Sequence, residues 1–177
     1  MGKIDYSQLR LLVLDVDGVL TDGRITLTEA GQEIKSFHCR DGSGMKYWLR
    51  AGGKLAIITG RGSPAVSARA REIGVEAVYL NAKEKLPVYQ RALDELGVSA
   101  RQTIVVGDDL PDLPLMTRCG FAVAVADAPR ELKRMAAYVT KLPGGAGCVR
   151  EVIELILKKA GKWDQILSRY LPAGGDR

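Results

Sequence analysis

Apolar positions along the chain gather in short runs that end on acids or glycines, and these runs alternate with stretches of helical period. Leu11 to Leu14 is the first run and reads as a strand buried on both faces. Lys54-Leu-Ala-Ile-Ile58 is a second, Glu76-Ala-Val-Tyr-Leu80 a third and Gln102-Thr-Ile-Val-Val-Gly107 a fourth; Phe121-Ala-Val-Ala-Val125 and Tyr138-Val-Thr140 complete the series. Helices are predicted between them. One begins in the glycine-marked loop at Arg40 and carries Met45, Trp48 and Leu49 on one side; others run from Pro64 to about Ile73, from Lys83 or Lys85 to about Leu96, and from Val149 to about Ala160. Gly74 and Gly97 stop two of them, and Asp127-Ala-Pro-Arg130 opens a further short one. The alternation predicts a doubly wound α/β domain with a mostly parallel sheet and right-handed crossovers.

Two segments stand outside that alternation. Residues 22–38 read as an inserted β-hairpin: Arg24-Ile-Thr-Leu-Thr28 and Glu33-Ile-Lys-Ser-Phe-His38 alternate with period two around a turn at Gly31. A lone hairpin has little stability in water, so it should pack on the main domain or on another subunit. Pro143-Gly-Gly-Ala-Gly147 reads as a flexible loop with no nucleotide-binding signature. Residues 1–10 form a lead-in in which Ile4, Tyr6 and Leu9 make one helical turn, and residues 161–177 a C-terminal tail whose last residues are expected to be mobile.

A chain of 177 residues fits one domain with an ordinary core, so residues 1–177 are expected to form a single unit. No apolar run approaches a membrane span and the start lacks a secretory segment, which makes the cytoplasm the expected compartment. The three cysteines, Cys39, Cys119 and Cys148, are odd in number and widely spaced, which suits neither a disulfide framework nor a zinc site. The start His38-Cys39 does not make a cysteine-phosphatase loop, because Met45 occupies the position that loop gives to arginine. A net charge of +5 with dispersed basic residues and 6% aromatics favours a small anionic substrate over nucleic acid.

The candidate chemistry lies at the ends of the strands. Asp15 and Asp17 follow the first strand at i and i+2, so an extended backbone sends both side chains the same way, and Gly18 lets the chain turn. A turn alone would account for one acid and one glycine, but two such acids raise each other's cost of ionisation unless a cation sits between them, which points to Mg2+. Thr59-Gly60 ends the second strand, where a hydroxyl and the next N–H groups either contact phosphate or cap the following helix. Lys85 opens a helix whose dipole it opposes, the pattern of a residue kept for a ligand. Asp108, Asp109 and Asp112 follow the fourth strand as a second acidic cluster.

The order and spacing of these four groups resemble the motifs of the haloacid dehalogenase superfamily along nearly the whole chain. Within it, Asp15-Val-Asp-Gly-Val-Leu-Thr-Asp-Gly23, the hairpin, Arg40-Asp-Gly42, Ile57-Ile-Thr-Gly-Arg61 and Val106-Gly-Asp-Asp-Leu-Pro-Asp112 are similar to the 3-deoxy-D-manno-octulosonate 8-phosphate phosphatases. The resemblance implies a nucleophile at Asp15, a general acid and base at Asp17, phosphoryl contacts from Thr59 and Lys85, and Mg2+ on Asp15, Asp108 and the Asp17 carbonyl. It places the sugar acid against Asp17, His38, Cys39, Arg40, Asp41, Gly42, Arg61, Arg69 and Lys85. Lys46 stands where the family often has arginine, so a point charge replaces a carboxylate-matching fork. Asp109 and Asp112 have three open roles: reaching metal-bound water, orienting Lys85 or shaping the loop. The gaps between motifs are too short for a cap domain, and the resemblance implies a cytoplasmic homotetramer joined through the hairpins; whether the tail crosses to a neighbouring site is open. A phosphatase for a nine-carbon sugar-acid phosphate, a broad phosphatase and a catalytically silent scaffold are the competing functions.

Overall fold

The computed structural model describes residues 4–171. Six parallel strands form one sheet: β1 (Leu11–Leu14), β4 (Lys54–Ile58), β5 (Ala77–Tyr79), β6 (Thr103–Gly107), β7 (Phe121–Ala124) and β8 (Tyr138–Val139), in the spatial order β5-β4-β1-β6-β7-β8. β1, β6 and β7 are buried along their whole length, as expected of uninterrupted apolar runs covered on both faces. The covering helices fall into two groups. α1 (Cys39–Arg50), α2 (Pro64–Ile73), α6 (Cys148–Lys159) and α7 (Trp163–Leu167) pack together, and α3 (Lys85–Leu96), α4 (Leu113–Met116) and α5 (Arg130–Met135) form the other group. The doubly wound sheet expected from the strand and helix alternation is therefore the observed fold.

The strand order decides where ligands can bind. From β1 the chain moves outward through β4 and β5, then crosses back to add β6, β7 and β8 on the other side of β1. That reversal lies between β1 and β6, and the carboxyl ends of strands at such a switch point form the open crevice of α/β sheets. Leu14 stands in register with Ile57 and with Val106, so the residues that follow β1, β4 and β6 emerge side by side.

The inserted hairpin is shorter than its sequence pattern suggests. β2 (Thr26–Leu27) and β3 (Glu33–Ile34) pair over two residues each, and the turn is closed by Thr28, whose N–H donates to the Gln32 carbonyl at 2.8 Å. α1 begins at Cys39, so Arg40 to Gly44 is helical where a loop was expected. The reason is a close helix crossing: a Cβ on Gly44 would stand 3.1 Å from the Arg150 Cα, tighter than an ordinary contact, and glycine eases the approach of α1 to α6. The C-terminal tail carries α7, whose Ile166 is buried and whose Trp163 meets Tyr47 edge-on at 6.2 Å. Residues 172–177 of the expected tail lie outside the described residues.

The loop Pro143 to Gly147 also differs from expectation, because its glycines are places of contact. A Cβ on Gly144 would lie 1.8 Å from the Gly18 carbonyl oxygen, and one on Gly145 2.4 Å from the Asp22 nitrogen. Gly144 N–H donates to Asp127 at 3.1 Å, and the Glu151 carboxylate accepts from Lys141 N–H at 2.8 Å and Leu142 N–H at 3.1 Å. The loop is thus a fixed clasp on the turn that follows β1. Gly144→Ala forces two backbones apart and should destabilise by about 3 kcal/mol, lowering the melting temperature by roughly 6–12 °C. Thermal unfolding checks this; an unchanged midpoint would show that the clasp yields freely.

Candidate active site

Asp15 and Asp17 leave β1 at the centre of the crevice. Asp15 N–H donates to the Val106 carbonyl at 3.4 Å, and the Val16 carbonyl accepts from the N–H groups of Leu20 at 2.9 Å and Thr21 at 3.0 Å, which folds the chain back at once. Gly18 within this turn has φ +86°, and a Cβ there would fall 2.1 Å from Asp108 Oδ2. The missing side chain is what lets the acid after β6 lie over the turn after β1.

Lys85, the first residue of α3, is buried against two acids. Its Nζ is 2.8 Å from Asp15 Oδ2 and 2.7 Å from Asp112 Oδ1. Burial works to lower the Lys85 pKa, but the charges of Asp112 and Asp15 outweigh it and the pKa is raised, so the side chain stays cationic. The other Asp112 oxygen accepts from Asp108 N–H at 3.1 Å. Of the open roles for Asp112, orienting Lys85 and shaping the loop therefore match its contacts. Asp109 is exposed and accepts from Leu110 N–H at 2.8 Å, which caps the short turn Leu110–Asp112.

Thr59 follows β4, donates its N–H to the Tyr79 carbonyl at 3.0 Å, and accepts the Arg61 N–H on its hydroxyl at 3.3 Å. Thr59 does not cap the following helix, whose N-cap position is Ser63; its side chain organises the turn and lines an open cleft of about 350 Å³ together with Asp15, Asp17, Arg61, Lys85 and Asp108. The cleft floor has a shortage of positive charge. Burial, and next the charges of Asp15 and Asp112, push Asp108 up to about 8 against the pull of Lys85. Burial and the Asp15 charge likewise push Asp112 up to about 6.

These acids suit a hard cation. Oxygens of Asp15, Asp108 and Asp112 lie within 4.8 Å of one another, and Asp15 Oδ1 is buried with no hydrogen-bond partner. Both Asp112 oxygens accept hydrogen bonds, from Lys85 and from the Asp108 N–H, and Asp15 and Asp108 are the members of this group that line the open cleft.

The remaining expected substrate contacts do not converge on this cleft within one protomer. His38 precedes α1, Cys39 and Arg40 are exposed on its first turn, and Asp41 is buried, accepting from Arg150 N–H at 2.7 Å at the start of α6. Burial raises the Asp41 pKa against that hydrogen bond. Arg69 and Lys46 both face Glu72, at 2.7 and 3.9 Å, and Arg69 shares a narrow second cavity with His38, Asp41 and Gly42 between α1 and α2. Among the described arginines Arg61 alone reaches the carboxylates, with its Nε 3.6 Å from Asp17 Oδ2.

Two hairpin residues were missed in the sequence. The Lys35 side chain is only 2% exposed; its ammonium donates to Asp17 Oδ1 and lies 3.3 Å from Glu33, which in turn accepts from Arg61 at 2.7 Å. Their signal was present in the alternation, since Glu33 and Lys35 share one side of β3 and Ile34 takes the other. Lys83, beside the cleft mouth, was read only as a possible helix start.

Comparison with known proteins agrees with this architecture. Residues 82–151 match the model of the haloacid dehalogenase-like hydrolases. The 3-deoxy-D-manno-octulosonate 8-phosphate phosphatase of Escherichia coli strain K12 is 43% identical over 159 residues, 90% of this chain and 85% of its own. A probable YrbI family phosphatase from Pseudomonas syringae superposes with TM-score 0.92 at 41% identity, covering 96% of each chain. The 3-deoxy-D-manno-octulosonate 8-phosphate phosphatase of Moraxella catarrhalis, solved with a magnesium ion, a phosphate ion and a KDO molecule, superposes with TM-score 0.91 at 36% identity, covering 94% of this chain and 95% of that one. With the crevice, its acids and its buried lysine in the same chain, these relationships make this protein a member of the haloacid dehalogenase-like hydrolases, in the family of the 3-deoxy-D-manno-octulosonate 8-phosphate phosphatases.

Proposed function

We propose that the protein is a Mg2+-dependent phosphatase that hydrolyses 3-deoxy-D-manno-octulosonate 8-phosphate to the free sugar acid and phosphate, for lipopolysaccharide synthesis. The observation that carries the reading is the Asp15 carboxylate, held on one oxygen by Lys85 and left free on the other at the floor of an open cleft. An ionised, oriented carboxylate is what attack on phosphorus requires. The free Asp15 oxygen forms the new bond to phosphorus as the bond to the sugar oxygen breaks, and the departing oxygen takes a proton from Asp17. Asp17, now a carboxylate, removes a proton from water; that oxygen bonds phosphorus, and the aspartyl bond breaks to regenerate Asp15.

Lys85 and Thr59, which line the cleft, would hold the phosphoryl oxygens, and Arg61 and Lys83 in the same lining would attract an anionic substrate. Mg2+ would be held by Asp15, Asp108 and the Asp17 carbonyl, where it supplies charge neutralisation between nucleophile and phosphate. His38, Cys39, Arg40, Asp41, Gly42, Lys46 and Arg69 belong to a second region, and we assign them to the sugar acid or to a neighbouring copy.

The hairpin supports assembly. Ile25, Leu27 and Ile34 are 60%, 59% and 50% exposed, apolar hairpin surface that a second copy would cover. We read this as the contact of a cytoplasmic homotetramer. Among the described residues no helix is long and apolar enough to cross a membrane, and no two cysteines are paired. Leu27→Asp should shift the assembly to smaller species in light scattering, and an unchanged mass would remove the hairpin from the interface.

Phosphate release from a panel of sugar phosphates, with and without Mg2+, tests the function. A marked preference for 3-deoxy-D-manno-octulosonate 8-phosphate is expected. Preference for a nine-carbon sugar-acid phosphate, or equal rates throughout, would replace the substrate, and no release from any would leave a silent scaffold.

A further inference from the structure

The hairpin exposes apolar side chains and buries a charged one. Ile25, Leu27 and Ile34 are exposed, while the Lys35 side chain is buried and Glu33 is largely covered. A lysine side chain with 2% of its surface exposed is costly to bury unless acids meet it, and the two acids it meets are Asp17 and Glu33. With Arg61 they close a ring of alternating charge: Asp17 to Lys35, Lys35 to Glu33 at 3.3 Å, Glu33 to Arg61 at 2.7 Å, and Arg61 back to Asp17 at 3.6 Å.

The ring divides the two oxygens of Asp17. Oδ1 accepts from the Lys35 ammonium, and Thr21 Oγ1 stands 3.4 Å from the same atom. Oδ2 is buried and has no hydrogen-bond partner. A carboxyl held on one oxygen cannot rotate freely, so the other keeps a fixed direction. Glu33 matters here because it stands between the two cations beside Asp17, 3.3 Å from Lys35 and accepting from Arg61 at 2.7 Å, and so holds the Lys35 ammonium in place.

We infer that Lys35 is a positioning residue for the proton transfers of Asp17: it fixes Oδ1 so that Oδ2 faces the leaving oxygen, and Glu33 holds Lys35 in place. This rests on the reading of Asp17 as the general acid. The hairpin is then a working wall of the active site as well as an outer contact surface.

Leaving-group dependence separates positioning from mere support of the fold. A sugar oxygen needs a proton to depart, whereas 4-nitrophenolate leaves without one. The quantity to compare is kcat/KM, which reports steps up to departure of the leaving group. In the Mg2+-loaded protein, Lys35→Met should lower kcat/KM for 3-deoxy-D-manno-octulosonate 8-phosphate by about 30-fold or more, within the range of acid–base contributions, and that for 4-nitrophenyl phosphate by less than about threefold. Lys35→Arg, which restores a donor, should recover part of the loss. If Lys35→Met yields no folded protein, the same ratio is read on Lys35→Gln. Equal losses on both substrates would reduce Lys35 to a structural residue, and no loss on either would remove it from the mechanism. Asp17→Asn provides the independent control: if it shows no leaving-group dependence, the general-acid assignment fails, and the inference about Lys35 fails with it for that distinct reason.

Discussion

Asp15→Asn should lower turnover by on the order of 10⁴-fold or more while leaving the protein folded, because a carboxamide keeps the shape of the side chain and loses the nucleophile. The contacts of Asp15 make the structural half of this expectation specific. Its Oδ2 lies 2.8 Å from Lys85, and an amide oxygen can accept that hydrogen bond in place. Lys85 also retains Asp112 at 2.7 Å, so the cation is not left unpaired. Removal of the Asp15 charge relieves one cause of the raised Asp108 pKa, so the metal-free variant should melt no lower than wild type. Two measurements check the claim: phosphate release in Mg2+, and labelled phosphate retained on protein after rapid acid quenching. Label should remain with wild type and be absent from Asp15→Asn. Mg2+-dependent turnover above about one hundredth of wild type would sink the nucleophile assignment.

The readable parts of the site are those that local sequence controls. Leu11 to Leu14 ending at Asp15, Lys54 to Ile58 ending at Thr59 and Thr103 to Gly107 ending at Asp108 are apolar runs with an abrupt polar stop, and a parallel sheet converts those stops into one crevice. Lys85 was visible as a cation in the wrong place for a helix dipole, and the contact with Asp15 and Asp112 gives the compensation. What was not legible depends on long-range approach. Asp112 looked like one acid among three until its two oxygens were seen to serve Lys85 and the Asp108 N–H. Gly44 and Gly144 looked like loop glycines, because the backbones they admit, Arg150 and Gly18, lie more than a hundred residues away in sequence. Lys35 stood only as one residue of the return strand, and the alternation could not show that its side chain is buried against Asp17.

Removing the metal should cost turnover at least about 10³-fold and should leave a protein whose stability depends on Asp108 and on pH. In the metal-free site burial and the neighbouring charges of Asp15 and Asp112 push Asp108 up to about 8, against about 3.9 for an unfolded aspartate. An acid whose folded pKa is raised holds its proton longer in the folded state than in the unfolded chain. Its ionisation is therefore unfavourable to folding: the Asp108 increment is fully present below about pH 4, shrinks as pH climbs, and is lost above about 8. Allowing for the water that still reaches the carboxyl, the loss is about 2–3 kcal/mol, or roughly 4–12 °C in melting temperature. Asp112, pushed up to about 6, adds to the early part of the same fall. A divalent cation takes the place of the proton, so Mg2+ should flatten the profile, and its binding near pH 7 should release close to one proton. Asp108→Asn removes the charge without the bulk change, and should make the metal-free protein more stable than wild type at pH 8 while abolishing both turnover and the Mg2+ effect. Melting profiles from pH 5 to 9 in chelator and in Mg2+, for wild type and Asp108→Asn, give the comparison. Parallel profiles for the two proteins in chelator would show that Asp108 ionises freely, and the strained acid pair would then not be what draws the cation into the cleft.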